Sequence, residues 1–201
     1  MLTRNSKSHL KFNPRTLILL LMILAITALR LLVTFNSDEL KFANFSSIGA
    51  VALFGGAYFK DHLKAFAFPL LSLFLSDLVL YTTIYKQYVD MFLVQELWTY
   101  LAIALMVLAG RFLLKKVNIA SLFLSTIIIV FIHWIISDIG SWYKNPLYTQ
   151  NLNGFIDCLI KAIPFEIRFL EGTIIYGALL FGAFEILKAK YPVLKLQTQE
   201  L

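Results

Sequence analysis

Six apolar segments, separated by short polar gaps, occupy most of this chain between residues 16 and 187. Five of them contain 19 to 22 residues, and a helix needs roughly 20 to cross the hydrocarbon core of a bilayer. In lipid, only helices and closed barrels satisfy their own backbone hydrogen bonds. The sequence therefore predicts an all-α membrane protein, a bundle of six transmembrane helices over residues 16–35, 46–59, 65–85, 96–114, 118–139 and 168–187. A hydrophobic fraction of 59% agrees, because soluble domains contain about 45–50% apolar residues.

The second segment is short, with 14 residues, and rich in glycine and alanine. Ala52 and Gly56 have the spacing of small residues that lets helix backbones approach closely in membranes. We predict a short span packed tightly inside the bundle, with Gly49, Gly177 and Gly182 as further helix-packing positions.

Lysine and arginine fall mainly into alternate gaps between the segments. With the N-terminus inside, the cytoplasmic side holds twelve of the 18 basic residues, as the positive-inside rule requires: Arg4, Lys7, Lys11, Arg15, Lys60, Lys64, Arg111, Lys115, Lys116, Lys188, Lys190 and Lys195. Lys41, Lys86 and Lys144 fall on the outer side. We therefore predict a multi-pass protein with both termini in the cytoplasm.

This topology divides the chain into a basic cytoplasmic tail over residues 1–15, a single transmembrane domain over 16–190 and a second cytoplasmic tail over 191–201. The first apolar segment is too long for a signal peptide, so we predict an uncleaved helix. No basic stripe with interleaved aromatic residues accompanies the charges. The expected partner is the lipid bilayer, with no nucleic acid.

Aromatic residues collect near the predicted outer ends of the spans. All three tryptophans, Trp98, Trp134 and Trp142, lie there, where they could form an interfacial belt or an outward-facing binding cup. The stretch 140–164 contains an outer loop followed by a short amphipathic segment, and this loop could be a lid or a passive connector.

Ionisable residues inside the spans are the main functional clue, because a charge at the bilayer centre costs at least ~2.5–3.5 kcal/mol. Asp77 could form a structural ion pair with Arg30 or contact a ligand directly. His133 could be a satisfied structural histidine or, as the less favoured alternative, a ligand-binding one. If the protein binds a solute, the predicted ligand-binding residues are Asn44, Ser46, Asp77, His133, Trp134, Asp138 and Trp142.

Motifs for catalysis are missing from the sequence. Cys158 is the single cysteine, and the three histidines are scattered, so neither a cysteine-based metal site nor a His-x-x-x-His pair can be built. A nucleophile elbow and a phosphate-binding loop are also absent. We expect no enzyme, no catalytic residues, no metal and no cofactor.

Three motifs carry a resemblance to a known family. They are residues 44–59 (NFSSIGAVALFGGAYF), residues 76–80 (SDLVL), and residues 163–165 (IPF) followed by Gly172 and 176–182 (YGALLFG). This pattern is similar to an uncharacterised family of small bacterial integral membrane proteins. That family in turn resembles the substrate-binding S components of energy-coupling-factor (ECF) transporters. Glu166 and Ile167 depart from the pattern, because they interrupt what is usually a Phe-Arg pair.

The resemblance implies a protein of the bacterial cytoplasmic (inner) membrane that captures a small-molecule ligand, typically a vitamin or its precursor, from outside. It also implies a transmembrane coupling protein and cytoplasmic ATPases as partners, since S components do not hydrolyse ATP. A non-transporting membrane scaffold or assembly protein is the alternative.

Overall fold

The computed structural model of this chain describes residues 13–35, 45–84, 86 and 89–195, without the side chains of 89–95. Within these ranges it contains six α-helices and no strand. They are α1 (Pro14–Phe35), α2 (Ile48–Tyr58), α3 (His62–Thr83), α4 (Val89–Leu113), α5 (Ile119–Trp142) and α6 (Leu152–Lys190). A 3₁₀ turn at Pro192–Leu194 follows α6.

Side-chain caps mark the starts of three helices. Asp61 accepts a hydrogen bond from the Lys64 amide at the start of α3, and Asn151 accepts one from the Gly154 amide at the start of α6. Asn118 forms a reciprocal capping box at the start of α5. Each cap satisfies an amide that the helix itself leaves unpaired.

Neighbouring helices alternate in direction. Arg15 at the start of α1 bonds to the carbonyl of Tyr58 at the end of α2, and Arg111 near the end of α4 bonds to the carbonyl of Phe59. Arg15 also donates to the Leu194 carbonyl beyond α6. We call this end of the bundle the terminal end, and the opposite end, where α1, α3 and α5 finish, the far end.

The short helix α2 forms the centre of the bundle. All of its residues except Ala57 are buried. A Cβ on Gly56 would lie 2.4 Å from the Val107 carbonyl of α4, and a Cβ on Gly49 would lie 2.2 Å from the Thr173 hydroxyl of α6. Glycine therefore lets α2 touch its neighbours closely. Eleven residues rise only about 16 Å, roughly half of a ~30 Å hydrocarbon core.

The outer surface of the bundle is apolar. Leu32, Leu71, Phe74, Phe123 and Ile186 are each at least half exposed, and an apolar surface of this extent suits lipid rather than water. Five of the six helices are long and apolar enough to cross a bilayer. The chain is therefore an all-helical membrane protein with five candidate spans and one short helix among them.

The amphipathic segment predicted before the last span is continuous with that span in the structure. Residues 152–164 and 168–187 belong to one 39-residue helix, α6, with Pro164 inside it. A proline removes one backbone hydrogen bond from a helix interior, and packing of α6 against α5 on both sides of Pro164 keeps the helix continuous.

Two of the predicted helix-packing glycines do not make close helix contacts. A Cβ on Gly182 would meet nothing within 4 Å. A Cβ on Gly177 would only touch the Ala50 methyl group at 3.9 Å, an ordinary contact. Gly182 lies on an exposed face of α6, where no neighbouring backbone requires a small residue.

Candidate functional site

Arg30 of α1 and Asp77 of α3 meet in the far half of the bundle. Arg30 Nη2 lies 3.7 Å from Asp77 Oδ1, and Arg30 Nη1 donates a 2.6 Å hydrogen bond to the hydroxyl of Ser76. Both charged side chains are mostly buried. The structure thus places the two predicted ion-pair partners side by side, because α1 and α3 run parallel and present them at the same depth.

A second carboxyl group joins them from α4. Glu96 interacts electrostatically with both Asp77 and Arg30. Tyr100 of α4 interacts electrostatically with both carboxyl groups, and Tyr176 of α6 interacts electrostatically with Arg30. We call this group the Asp77 cluster: Arg30, Ser76, Asp77, Glu96, Tyr100 and Tyr176.

Two buried oxygens of the Asp77 cluster have no hydrogen-bond partner. They are Asp77 Oδ2 and the Tyr176 hydroxyl, and the two residues are 6% and 2% exposed. Leaving a buried polar group unpaired costs about 1–3 kcal/mol. The ion pair with Arg30 accounts for Asp77 Oδ1 and a hydrogen bond accounts for the Ser76 hydroxyl, but neither contact involves these two atoms.

A second ionisable group lies between α5 and α6. His133 Nδ1 is 3.0 Å from both carboxylate oxygens of Glu166, and its ring stacks on Phe169 at 3.9 Å between centroids. Asp138 interacts electrostatically with His133 and Glu166, while its Oδ2 atom is buried without a partner. We call His133, Asp138, Glu166 and Phe169 the His133 cluster.

One face of α6 connects the two clusters. Glu166, Phe169, Thr173 and Tyr176 follow the spacing of a single helix face and are each no more than 6% exposed. The Thr173 hydroxyl, one turn before Tyr176 on this face, is also buried without a partner. Sequence reasoning noted Glu166 only as a departure from a family pattern. The signal available in the sequence was spacing. Glu166 lies three residues before Phe169 and ten before Tyr176, which places the three side chains on one helix face.

Two other predicted residues lie near the start of α2. The Ser46 hydroxyl accepts a 3.2 Å hydrogen bond from the Ile48 amide. A Cβ on Gly172 would lie 2.7 Å from the Ser46 backbone, so this glycine lets the chain cross α6 next to the polar face. Asn44 lies outside the described residues.

The two tryptophans predicted to bind ligand, Trp134 and Trp142, lie outside both clusters. They make contacts where α5 meets α6. Trp134 donates a 3.0 Å hydrogen bond from its indole to the Leu159 carbonyl of α6. Trp142 donates to the Thr149 carbonyl at 2.9 Å, and its ring packs against Phe155. These contacts connect the end of α5 to the following loop and to α6.

Residues 10–194 match the model of DUF6580, a family of unknown function. The chain belongs to this family. Searches of curated proteins and of solved structures each return no match. Membership in DUF6580 therefore assigns no function to the two clusters.

For this DUF6580 chain, the two clusters place charged and polar side chains inside an otherwise apolar bundle. In the described part of the chain, no three His, Cys, Asp or Glu side chains converge to hold a metal ion. The two clusters instead offer carboxylate and hydroxyl oxygens beside aromatic rings. Buried polar groups of this kind orient a small molecule inside an otherwise apolar site.

Proposed function

We propose that this protein is a solute-binding integral membrane subunit of a micronutrient uptake transporter. It takes up a vitamin or vitamin precursor at the far end of the bundle. A transmembrane coupling protein and cytoplasmic ATPases energise the transport step, as in the ECF transporters that the sequence resembles. The observation that carries the proposal is the pair of ionisable clusters in the far half, each with a buried carboxylate oxygen that nothing in the described chain satisfies.

We assign these clusters to function because burying ionisable groups costs free energy. Ionisable groups at membrane depth are expensive and usually mark substrate or ion pathways. A purely structural role would account for Arg30 with Ser76, and for His133 with Glu166. It leaves Asp77 Oδ2 and Asp138 Oδ2 unpaired, which a bound solute with hydrogen-bond donors would correct.

The proposal requires the far end to face outward, as the distribution of lysine and arginine predicts. Single cysteines replacing Lys86 or Lys144, in a Cys158→Ser background, should react with an impermeant maleimide added to intact cells. Cysteines replacing Lys60 or Lys116 should react only after the membrane is permeabilised. All four positions are exposed, so access to the side chain does not limit the reaction. Labelling at position 60 in intact cells would overturn the orientation.

Native mass spectrometry of the protein purified from its own membranes tests the function directly. We expect a co-purifying small molecule and, under mild solubilisation, ATPase and coupling subunits. Asp77→Asn should reduce the fraction of protein that carries the small molecule, whereas Asp157→Asn should not. Asp157 is the matched control, because it is half exposed and pairs with Lys161 on the surface of α6.

A chain that carries no small molecule and captures no ATPase under these conditions would contradict the transporter proposal. Such a result would favour a scaffold or assembly role in the membrane.

A further inference from the structure

The Asp77 cluster contains more acidic groups than basic groups. Its charged members are Arg30 from α1, Asp77 from α3 and Glu96 from α4, and α6 contributes the uncharged Tyr176. One guanidinium therefore faces two carboxyl groups. An added anion would disfavour ionisation of both carboxyl groups in a medium of low dielectric, where like charges repel strongly, whereas an added cation would stabilise their ionised forms.

The unpaired atoms indicate where a ligand would bind. Arg30 already contacts the Ser76 hydroxyl and Asp77 Oδ1. Asp77 Oδ2 is left as a buried acceptor, and an ionised carboxylate oxygen can only accept hydrogen bonds. The group that completes it must be a donor, and a positively charged N–H donor makes the strongest bond of this kind.

Aromatic side chains lie near the charged groups of the Asp77 cluster. Tyr100 and Tyr176 belong to the cluster, and the ring of Phe45 lies 5.6 Å from that of Tyr176. The Tyr176 hydroxyl is a second buried polar atom without a partner, contributed by a different helix. Rings attract cations through their negative faces, so the apolar lining also favours a positively charged ligand.

The His133 cluster offers a ligand fewer unpartnered atoms than the Asp77 cluster. Both oxygens of Glu166 already lie 3.0 Å from His133 Nδ1, and the imidazole supplies a group that can itself carry positive charge. Only Asp138 Oδ2 is left without a partner there.

We propose that the Asp77 cluster is the binding site for a small organic cation that carries an N–H donor. This inference rests on the proposed function for the presence of a solute, and it names the chemical class of that solute. The N–H group bonds to Asp77 Oδ2, the second carboxyl group of Glu96 balances the charge, and the tyrosine rings cover the apolar part of the molecule.

Four small probes of similar shape test the class: benzylammonium, benzyltrimethylammonium, benzyl alcohol and benzoate. Binding to the full-length protein in lipid nanodiscs is followed by ligand-observed NMR and by the melting temperature. We expect benzylammonium to bind best, benzyltrimethylammonium more weakly because it lacks an N–H, and benzoate least.

Variants then locate the site. Asp77→Asn should weaken benzylammonium binding roughly ten- to a hundredfold, while Asp157→Asn should leave it unchanged. Glu96→Gln provides a second, independent change of charge if Asp77→Asn fails to fold. Tyr176→Phe keeps the ring and should reduce binding by a smaller factor than either.

Three results would overturn the inference. They are equal binding of benzylammonium and benzyltrimethylammonium, preferred binding of benzoate, and amine binding that survives both Asp77→Asn and Glu96→Gln. A co-purified anionic or neutral solute with coupled ATPases would reject the cation class and leave the transporter proposal intact. Absence of any solute and any ATPase would reject the transporter proposal itself.

Discussion

The two ends of the bundle use the same kinds of residues in opposite ways. At the terminal end, Arg15 donates to the carbonyls of Tyr58 and Leu194, and the Tyr58 hydroxyl donates to Glu185. Lys188 adds a 2.5 Å ion pair to Glu185. We call these residues, Arg15, Tyr58, Glu185 and Lys188, the Arg15 clamp. The Asp77 cluster at the far end likewise combines an arginine, acidic residues and tyrosines.

The two regions differ in whether their buried polar atoms have hydrogen-bond partners. Five buried side-chain oxygens in the described chain have no hydrogen-bond partner, and none belongs to the Arg15 clamp. Two of the five belong to the Asp77 cluster. The clamp ties α1, α2 and α6 together and satisfies carbonyls that helix ends leave unpaired. An ionisable group whose atoms are all used is therefore structural, and one with an atom left over is available to a ligand.

The largest expected effect is on the clamp. Arg15→Leu removes the donor to two backbone carbonyls, those of Tyr58 and Leu194. A hydrogen bond from a charged group contributes about 1.5–3 kcal/mol, so losing two should cost about 3–6 kcal/mol. We expect a fall of this size in the free energy of unfolding, measured by chemical denaturation in mixed micelles.

Arg168→Leu is the matched control for Arg15→Leu. Arg168 forms a 2.8 Å pair with Glu171, but its side chain is 45% exposed, and exposed pairs contribute less than about 1 kcal/mol. Similar losses for both variants would show that Arg15 is not a structural clamp.

The Arg30–Asp77 pair should respond less and should show coupling. Arg30→Leu leaves Asp77 without its counter-ion and Ser76 without its donor, so we expect a loss of about 1.5–3 kcal/mol. Adding Asp77→Leu should restore much of this loss, because no unpaired charge then remains. Denaturation of the two single variants and the double variant measures the coupling, and strictly additive losses would exclude the pairing.

Two Tyr→Phe changes give the smallest effect and the most direct comparison between the regions. Tyr58→Phe removes a hydrogen bond to a charged group, and we expect a loss of about 1.5–3 kcal/mol, toward the lower figure because Glu185 keeps Lys188. Tyr176→Phe removes a buried hydroxyl that has no partner, so stability should stay the same or rise. Thermal unfolding in detergent reads out both, and a larger loss for Tyr176→Phe would contradict the division between a clamp and a binding cluster.

Basic residues illustrate how a sequence signal can have two meanings. Arg15 and Arg111 were counted as topology signals, but each is also bonded to helix-end carbonyls. Arg111 donates at 3.1 Å to both Phe59 and Lys60. Charge bias along the chain cannot distinguish an arginine that faces the cytoplasm from one that fastens α2 to its neighbours, because that depends on which helices are adjacent.

Glu96 and Glu166 are the functional candidates that sequence reasoning missed. Each stands in an apolar stretch, but the sequence places Glu96 at the first residue of a span, and Glu166 interrupts a Phe-Arg pair of the family pattern. The structure extends α4 back to Val89 and joins 152–164 to α6. Both glutamates then fall inside long helices, where a buried carboxyl group needs a partner.

By itself, the sequence determined the all-helical membrane class and the short glycine-rich helix. Hydropathy depends on residues within a few positions of each other, so a linear reading captures it. It also singled out Arg30 and Asp77, because charges in apolar segments stand out one at a time. Only the tertiary structure separated the candidate ligand-binding residues into two clusters and brought Glu166 to His133. Those contacts depend on how each helix is rotated about its axis and which helix lies beside it, which packing around α2 decides.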